Sequence, residues 1–159
     1  PGSTRYMTLF PSTTLFRSLM ATGLDTGPAG AALMLVVPMP EEADHAALLQ
    51  GPQGVMLAAM LARLGFARED CYFAAALPGH LPLPDWEGLA ASGLGAVLAH
   101  HVALVQPRRL LLLGNALAEQ LGSALDDTPA LSSFAPEHLL ASPRQRARLW
   151  QRLLDWTAA

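Results

Sequence analysis

Three short runs of apolar residues, separated by segments of helical character, limit what this chain can fold into more than any other feature of its sequence. The runs are Leu33–Val37, 71–77 and Leu110–Leu113. None of them alternates apolar with polar residues, so each is expected to be a strand buried on both faces. Strands of this kind in strand–helix–strand order are typical of a parallel sheet covered by helices. The sequence therefore predicts an α/β domain.

Local signals predict the remaining elements. In the first helix, the spacing places Val55, Ala58, Ala59 and Ala62 on one apolar face, and Gly65 follows as a C-cap. Asp85 is a candidate N-cap for a second helix. We predict strands at 32–37, 71–77, 108–113 and near 131–134, and helices at 51–64, 85 to about 105, 115–121 and from Ser142-Pro143 onward.

Composition excludes several classes of function. The chain has 159 residues, 52% of them hydrophobic, which predicts one folded domain, and its net charge of −3 does not favour sequence-independent DNA binding. It has no lysine, which excludes a P-loop or Schiff-base lysine. Its single cysteine, Cys71, excludes an intramolecular disulfide and a cysteine-based metal cluster, and we expect a buried thiol. No membrane span is predicted, and we expect a cytoplasmic protein without metal or cofactor.

Residues 1–18 differ from the rest of the chain. They are rich in threonine and serine and show neither helical nor alternating periodicity. The stretch 8–18 resembles the translation of a common sequencing-adapter oligonucleotide, and a signal peptide is the competing interpretation. We treat 1–18 as an adapter-derived or non-native segment, 19–31 as a lead-in loop and 32–157 as the domain.

Ligands of parallel α/β sheets bind at the carboxyl ends of the strands, and here those ends are almost without polar side chains. Proline and methionine follow the first strand, alanine and leucine end the second, and Ala135 and Pro136 follow the fourth. Asn115, just after the third strand, is the exception. Because so few side chains at the strand ends are polar, catalytic activity is in doubt.

The acidic group Glu41, Glu42 and Asp44 is the first polar candidate, and we expect a solvated turn that includes His45. A catalytic carboxylate pair would instead require one carboxyl group in a pocket that raises its pKa. Gly51 and Gly54 open a helix, where their N–H groups could bind an anion or the glycines could permit close packing. Both interpretations stay open.

Histidines and arginines supply the other candidates. We expect His100 and His101 to be partly exposed on a helix, whereas His80 and His138 lie near strand ends and could reach a ligand. A basic strip on the last helix could contact a phosphate backbone, although a solvated helix face is favoured by the acidic net charge. The strip consists of Arg144, Arg146, Arg148 and Arg152.

The order of five segments resembles the uracil-DNA glycosylase superfamily, and most of all its family-4 type. The segments are 33–44, 51–61, 68–73, 106–116 and 134–140, so the resemblance spans about 33–156. It implies a three-layer α/β/α sandwich with a central four-stranded parallel sheet. It also implies a link to base-excision DNA repair and a DNA partner, which we expect to be bound weakly.

The functional residues of that family are replaced here. The resemblance places Pro38 where active members have an acidic or equivalent polar group, and Leu49 where an aromatic ring stacks on uracil. Ala75 stands in place of the asparagine that reads the uracil edge, and Ala135 in place of a histidine, followed by the retained Pro136. The four cysteines of the family-4 iron–sulfur cluster are missing. We therefore expect weak or no activity on uracil.

Two alternatives remain: a glycosylase acting on another base, and a non-enzymatic binding or interaction module that keeps the fold. For an enzyme, the candidate catalytic residues are Glu41, Asn115 and His138, with His80 as a further polar candidate. The predicted substrate-binding positions are Pro40, Leu49, Gly51, Gly54, Ala75, Ala135 and Pro136.

Overall fold

The computed structural model describes residues 25, 27–77, 79–121 and 128–158, so the predicted segment 1–18 and most of the lead-in 19–31 lie outside the described residues. Four strands form one parallel sheet in the order β2-β1-β3-β4. The strands are β1 Leu33–Val37, β2 Cys71–Ala75, β3 Leu110–Leu113 and β4 Ala130–Ser133. The helices are α1 Pro52–Arg63, α2 Trp86–Ala91, α3 Leu94–Val105, α4 Asn115–Leu121, α5 Pro136–Ala141 and α6 Pro143–Ala158.

The two faces of the sheet carry separate hydrophobic cores. Leu33, Leu35 and Val37 of β1 point into a core completed by α1, α5 and α6. Met34 and Val36 of the same strand point into a second core, completed by α3 and α4. Because helices cover both faces of a fully buried central strand, the predicted three-layer α/β/α sandwich with a four-stranded parallel sheet is confirmed.

The helix predicted from 85 to about 105 is in fact two helices. Asp85 caps α2 as predicted, because its side chain accepts a hydrogen bond from the Gly88 N–H. Gly93 then takes a left-handed conformation with φ of 93°, which no uninterrupted α-helix contains. The Oγ of Ser92 donates to the Gly88 carbonyl and completes the end of α2. The short helix α5, which starts at Pro136, was not predicted.

The face of α1 that packs on the sheet differs from the apolar face expected from the sequence. Gly54, Leu57 and Leu61 are buried, whereas Val55 is 70% exposed. Ala58, Ala59 and Ala62 are exposed as well. The large leucines remove more apolar surface from water than alanines do, so they determine how the helix is rotated.

None of the helices in the described part of the chain is long and apolar enough to cross a membrane.

Candidate functional site

A cleft of about 230 Å³ opens at the carboxyl ends of β1 and β3. The chain leaves β1 toward β2 on one side and leaves β3 toward β4 on the other, so their connections diverge at this point. Gly114, with φ of 149°, lets the two turns approach, since a Cβ there would lie 2.9 Å from the Cγ of Pro38. The cleft is lined by Pro38, Met39, Pro40, Gln53, His80, Pro82, Pro84, Trp86, Gly114, Asn115, Ala116, Ala135, Pro136 and Glu137.

The lining of the cleft is mostly apolar, with four polar side chains: Gln53, His80, Asn115 and Glu137. His80 Nδ1 lies 3.3 Å from the carbonyl oxygen of Pro40, which holds its loop against the turn after β1. No arginine is among the described residues that line the cleft. An apolar wall with amide, imidazole and carboxylate groups suits a small planar molecule with hydrogen-bonding edges.

Of the predicted substrate-binding positions, three line the cleft: Pro40, Ala135 and Pro136. Leu49 and Ala75 do not, because both side chains are packed in the core around α1 and are only 5% exposed. These two predicted substrate-binding residues therefore lie in the hydrophobic core and not in the open cleft.

Gly51 and Gly54 also lie outside the cleft lining. A Cβ on Gly54 would collide with the carbonyl oxygen of Leu49, so this glycine permits close packing of α1 on the preceding turn. The N–H of Gly51 donates to a carboxylate oxygen of Glu41 at 3.0 Å. The N–H of Gln53 donates to the other oxygen, also at 3.0 Å. The anion at the start of α1 is thus the chain's own glutamate.

The expectation of a solvated turn after β1 is confirmed for Glu42 and His45, which are exposed, and is wrong for Asp44. Asp44 is buried, and its carboxylate accepts hydrogen bonds from the N–H groups of Glu41, Leu49 and Gln50 at 2.9, 2.9 and 2.7 Å. Glu42 in the same turn is exposed. The turn brings these three N–H groups together, and the carboxylate of Asp44 holds the turn by accepting from them. The spacing of residues in the sequence did not reveal these donors.

The structure separates two of the candidate catalytic residues. Asn115, the first residue of α4, lines the cleft. His138, on α5, is exposed outside the lining and stacks on Phe134, with ring centroids 6.1 Å apart. Trp86, Gln53 and Glu137 line the cleft but were not predicted. The position of Glu137 directly after Pro136, a predicted substrate-binding residue, was the one sequence signal that could have identified it.

A buried polar array on the other face of the sheet was also missed. His101 is only 4% exposed, contrary to the expected partial exposure, and its Nε2 lies 3.0 Å from the Tyr72 hydroxyl. Its Nδ1 lies 3.9 Å from the carboxylate of Asp25. Burial raises the pKa of Asp25 to about 6 and lowers the pKa of His101. His101 shares its helix face with Val97 and Val102, a spacing that could have predicted its burial.

Asp25 also ties the lead-in to the outer edge of the sheet. Its Oδ1 accepts a hydrogen bond of 3.1 Å from the N–H of Ala75. Gly27 lies so close to β2 that a Cβ would collide with the Cα of Tyr72. The segment therefore covers backbone groups of an edge strand. Among the described residues, no three His, Cys, Asp or Glu side chains lie close enough together to hold a metal ion.

Comparison with known proteins agrees with this architecture. A family model described as the uracil DNA glycosylase superfamily matches residues 24–156, which contain all four strands and the whole cleft lining. A search of curated proteins finds no match. On the strength of the family match over most of its length, together with its four-stranded parallel sheet, the chain belongs to the uracil DNA glycosylase superfamily.

Proposed function

We propose that this chain is a uracil-DNA glycosylase-like protein, linked to base-excision repair of DNA, that is weak or inactive on uracil. One observation carries the proposal: Leu49 and Ala75 are packed into the hydrophobic core. By resemblance, these are the positions that stack on uracil and read its edge. A base entering the cleft would meet neither of them.

The physical argument concerns what base excision requires. An extruded base must be held by stacking and by hydrogen bonds to its edge. Charge that develops on the departing base needs a preorganised donor, and one such donor is worth about 2.7–4 kcal/mol in other enzymes. Ala135 lines the cleft at the position of the family histidine and has no donor to offer.

Release of uracil from single-stranded and from mismatched double-stranded DNA tests this proposal on the full chain. We expect release at the level of the no-enzyme control. We further expect the variant Ala135→His, which places a hydrogen-bond donor in the cleft, to exceed the parent. Release by the parent clearly above the control would contradict the proposal, and a folded Ala135→His variant without any gain would contradict the assignment of Ala135 to the position of the family histidine.

A glycosylase acting on a different base is the second candidate. The observation in its favour is that Asn115, Gln53 and Glu137 line the same cleft, where an amide can read a base edge and a carboxylate can activate water. A panel of DNA strands carrying different damaged bases tests it. Excision that is lost in Asn115→Ala and kept in His138→Ala, a residue outside the cleft lining, would support this candidate over the first.

A further inference from the structure

Helices α1 and α6 enclose a groove of about 390 Å³ that shares no residue with the cleft at the strand ends. On α1 the lining residues follow the spacing i, i+3, i+4, i+7, on a different side from the buried leucines of that helix. Helix α1 therefore has a second apolar side besides its core face. The groove is lined by Met56, Ala59, Met60 and Arg63 of α1 and by Arg146, Ala147 and Trp150 of α6.

The floor of the groove is apolar and only partly covered. Met56, Met60 and Trp150 are half-buried, and Val55 beside them on α1 is 70% exposed. On α6, Leu154 follows Trp150 by one turn and is 38% exposed. Methionine side chains adapt their shape to a second apolar surface, so a partner could bury this floor without a preformed fit.

Charge distinguishes these two helices from the rest of the molecule. Together α1 and α6 carry five arginines and one aspartate, a net charge of +4, in a chain whose net charge is −3. The arginines are half of the ten in the chain. Two of them, Arg63 and Arg146, line the groove, and none of its described lining residues is acidic. A positively charged groove with an apolar floor attracts a partner with the opposite charge pattern.

We propose that the α1–α6 groove binds an amphipathic helix of another protein, with apolar side chains toward the groove and acidic residues along its flanks. A third helix is the natural occupant, because ridges of side chains on one helix fit the groove between two others. The acidic flanks would face Arg63 on α1 and Arg146 on α6.

Nucleic acid is another negatively charged partner that the arginines could attract. The side chains that line the groove favour a protein partner instead. Only two cationic side chains, Arg63 and Arg146, are among the described residues that line the groove. A nucleic-acid site would need cations spaced along a phosphate backbone. Here the centre of the site is a patch of methionine, alanine and tryptophan, which offers burial to apolar side chains.

A display library of helical peptides of about 18 residues, or five turns, selected on the full chain, tests the proposal. We expect enrichment of Leu, Ile or Phe at i, i+3 or i+4, and i+7, flanked by Asp and Glu. The best peptide is then measured by fluorescence anisotropy against two variants. Ala59→Glu places a charge in the groove, and Ala58→Glu places the same charge at the neighbouring exposed residue outside its lining.

Binding about tenfold weaker in Ala59→Glu and within about twofold of the parent in Ala58→Glu is the expected result. A version of the peptide with Lys in place of its acidic residues should not bind, and a thymidine oligonucleotide should not displace the acidic one. The proposal is overturned if no peptide is enriched, if basic peptides are enriched, if the two variants weaken binding equally, or if the oligonucleotide competes.

Discussion

Asp44 and Asp25 are both largely buried carboxylates, and they differ in how many donors surround them. Three backbone N–H groups donate to Asp44, and the turn between β1 and α1 is organised around them. Asp25 receives one N–H, from Ala75, and its Oδ2 has no hydrogen-bond partner among the described residues.

This difference shows that burial alone does not decide whether a carboxylate stabilises or destabilises the folded protein. Loss of water raises the pKa of Asp25 to about 6, and the single hydrogen bond from Ala75 opposes that rise without cancelling it. Around Asp44, converging N–H groups replace the lost water. Asp44 therefore stabilises the fold, whereas the charged form of Asp25 destabilises it.

Removal of the better-bonded carboxylate should have the largest effect. Asp44→Ala leaves three backbone N–H groups without their acceptor, and each such loss costs about 1–3 kcal/mol. Because two of these donors are only partly buried and can regain water, we expect the free energy of unfolding to fall by about 4 kcal/mol. Urea denaturation measures it, with Glu42→Ala, the exposed carboxylate of the same turn, as a control expected to change little. Similar losses in both variants would contradict the comparison.

Asp25→Asn should stabilise the protein at neutral pH. The pKa of Asp25 rises from 3.8 to about 6 on folding, so between these values the folded state holds a proton that the unfolded state has lost. Stability therefore falls as pH rises through this range and stays lower above it, by about 3 kcal/mol.

The side-chain amide that this substitution introduces can still accept the Ala75 N–H but carries no charge. We expect a gain of about 3 kcal/mol near pH 7.5 that shrinks toward zero near pH 4, seen in urea denaturation at both pH values. The Glu42→Gln change, at an exposed carboxylate of the turn after β1, serves as the control. A gain that is equal at both pH values would contradict the electrostatic explanation.

Glu41→Ala should have a smaller effect of the same kind as Asp44→Ala. The substitution removes the acceptor of two N–H groups at the start of α1 and the negative charge that complements the helix dipole there. We expect the free energy of unfolding to decrease by about 1–2 kcal/mol, as for loss of a helix cap. Thermal unfolding followed by circular dichroism measures it. Unchanged stability combined with lost base excision would instead support the catalytic role predicted for Glu41.

Tyr72→Phe gives the smallest expected change. It removes the hydroxyl that lies 3.0 Å from His101 Nε2 and leaves a buried imidazole nitrogen without that partner. We expect a loss of about 1 kcal/mol in urea denaturation. No measurable loss would mean that the hydrogen bond between the Tyr72 hydroxyl and His101 contributes nothing to the free energy of unfolding.

The strands were predictable because a buried parallel strand is apolar at every position, as in β1 and β3. Their ends were predicted to within about two residues. The break at Gly93 was not, because apolar spacing continues from α2 into α3 and hides the change of direction. The predicted core face of α1 was wrong for a related reason. The periodic pattern counts every apolar residue equally, although Leu57 and Leu61 bury far more surface than an alanine does.

The candidate site was predictable only where it follows the sheet. Four of its residues lie within three positions of a strand end: Pro40, Asn115, Ala135 and Pro136. The carboxyl ends of parallel strands lie at one edge of the sheet, so the presence of these residues in one cleft follows from their place in the sequence. Trp86 enters the cleft from a helix on a different connection, and no spacing rule relates it to the strands.

What the amino-acid sequence determined by itself is the parallel sheet, the edge at which its cleft opens and the scarcity of polar residues immediately after the strands. A strand that is apolar at every position must be covered on both faces, so these features follow from local sequence. Only the tertiary structure decided that Leu49 and Ala75 are buried, that Asp44 is bound by three N–H groups and that Asp25 meets His101. The neighbours of Ala75 and Asp25 are distant along the chain, whereas the donors to Asp44 lie within six residues and converge only once the turn has folded. The free energy of a buried charge is set by everything that packs around it.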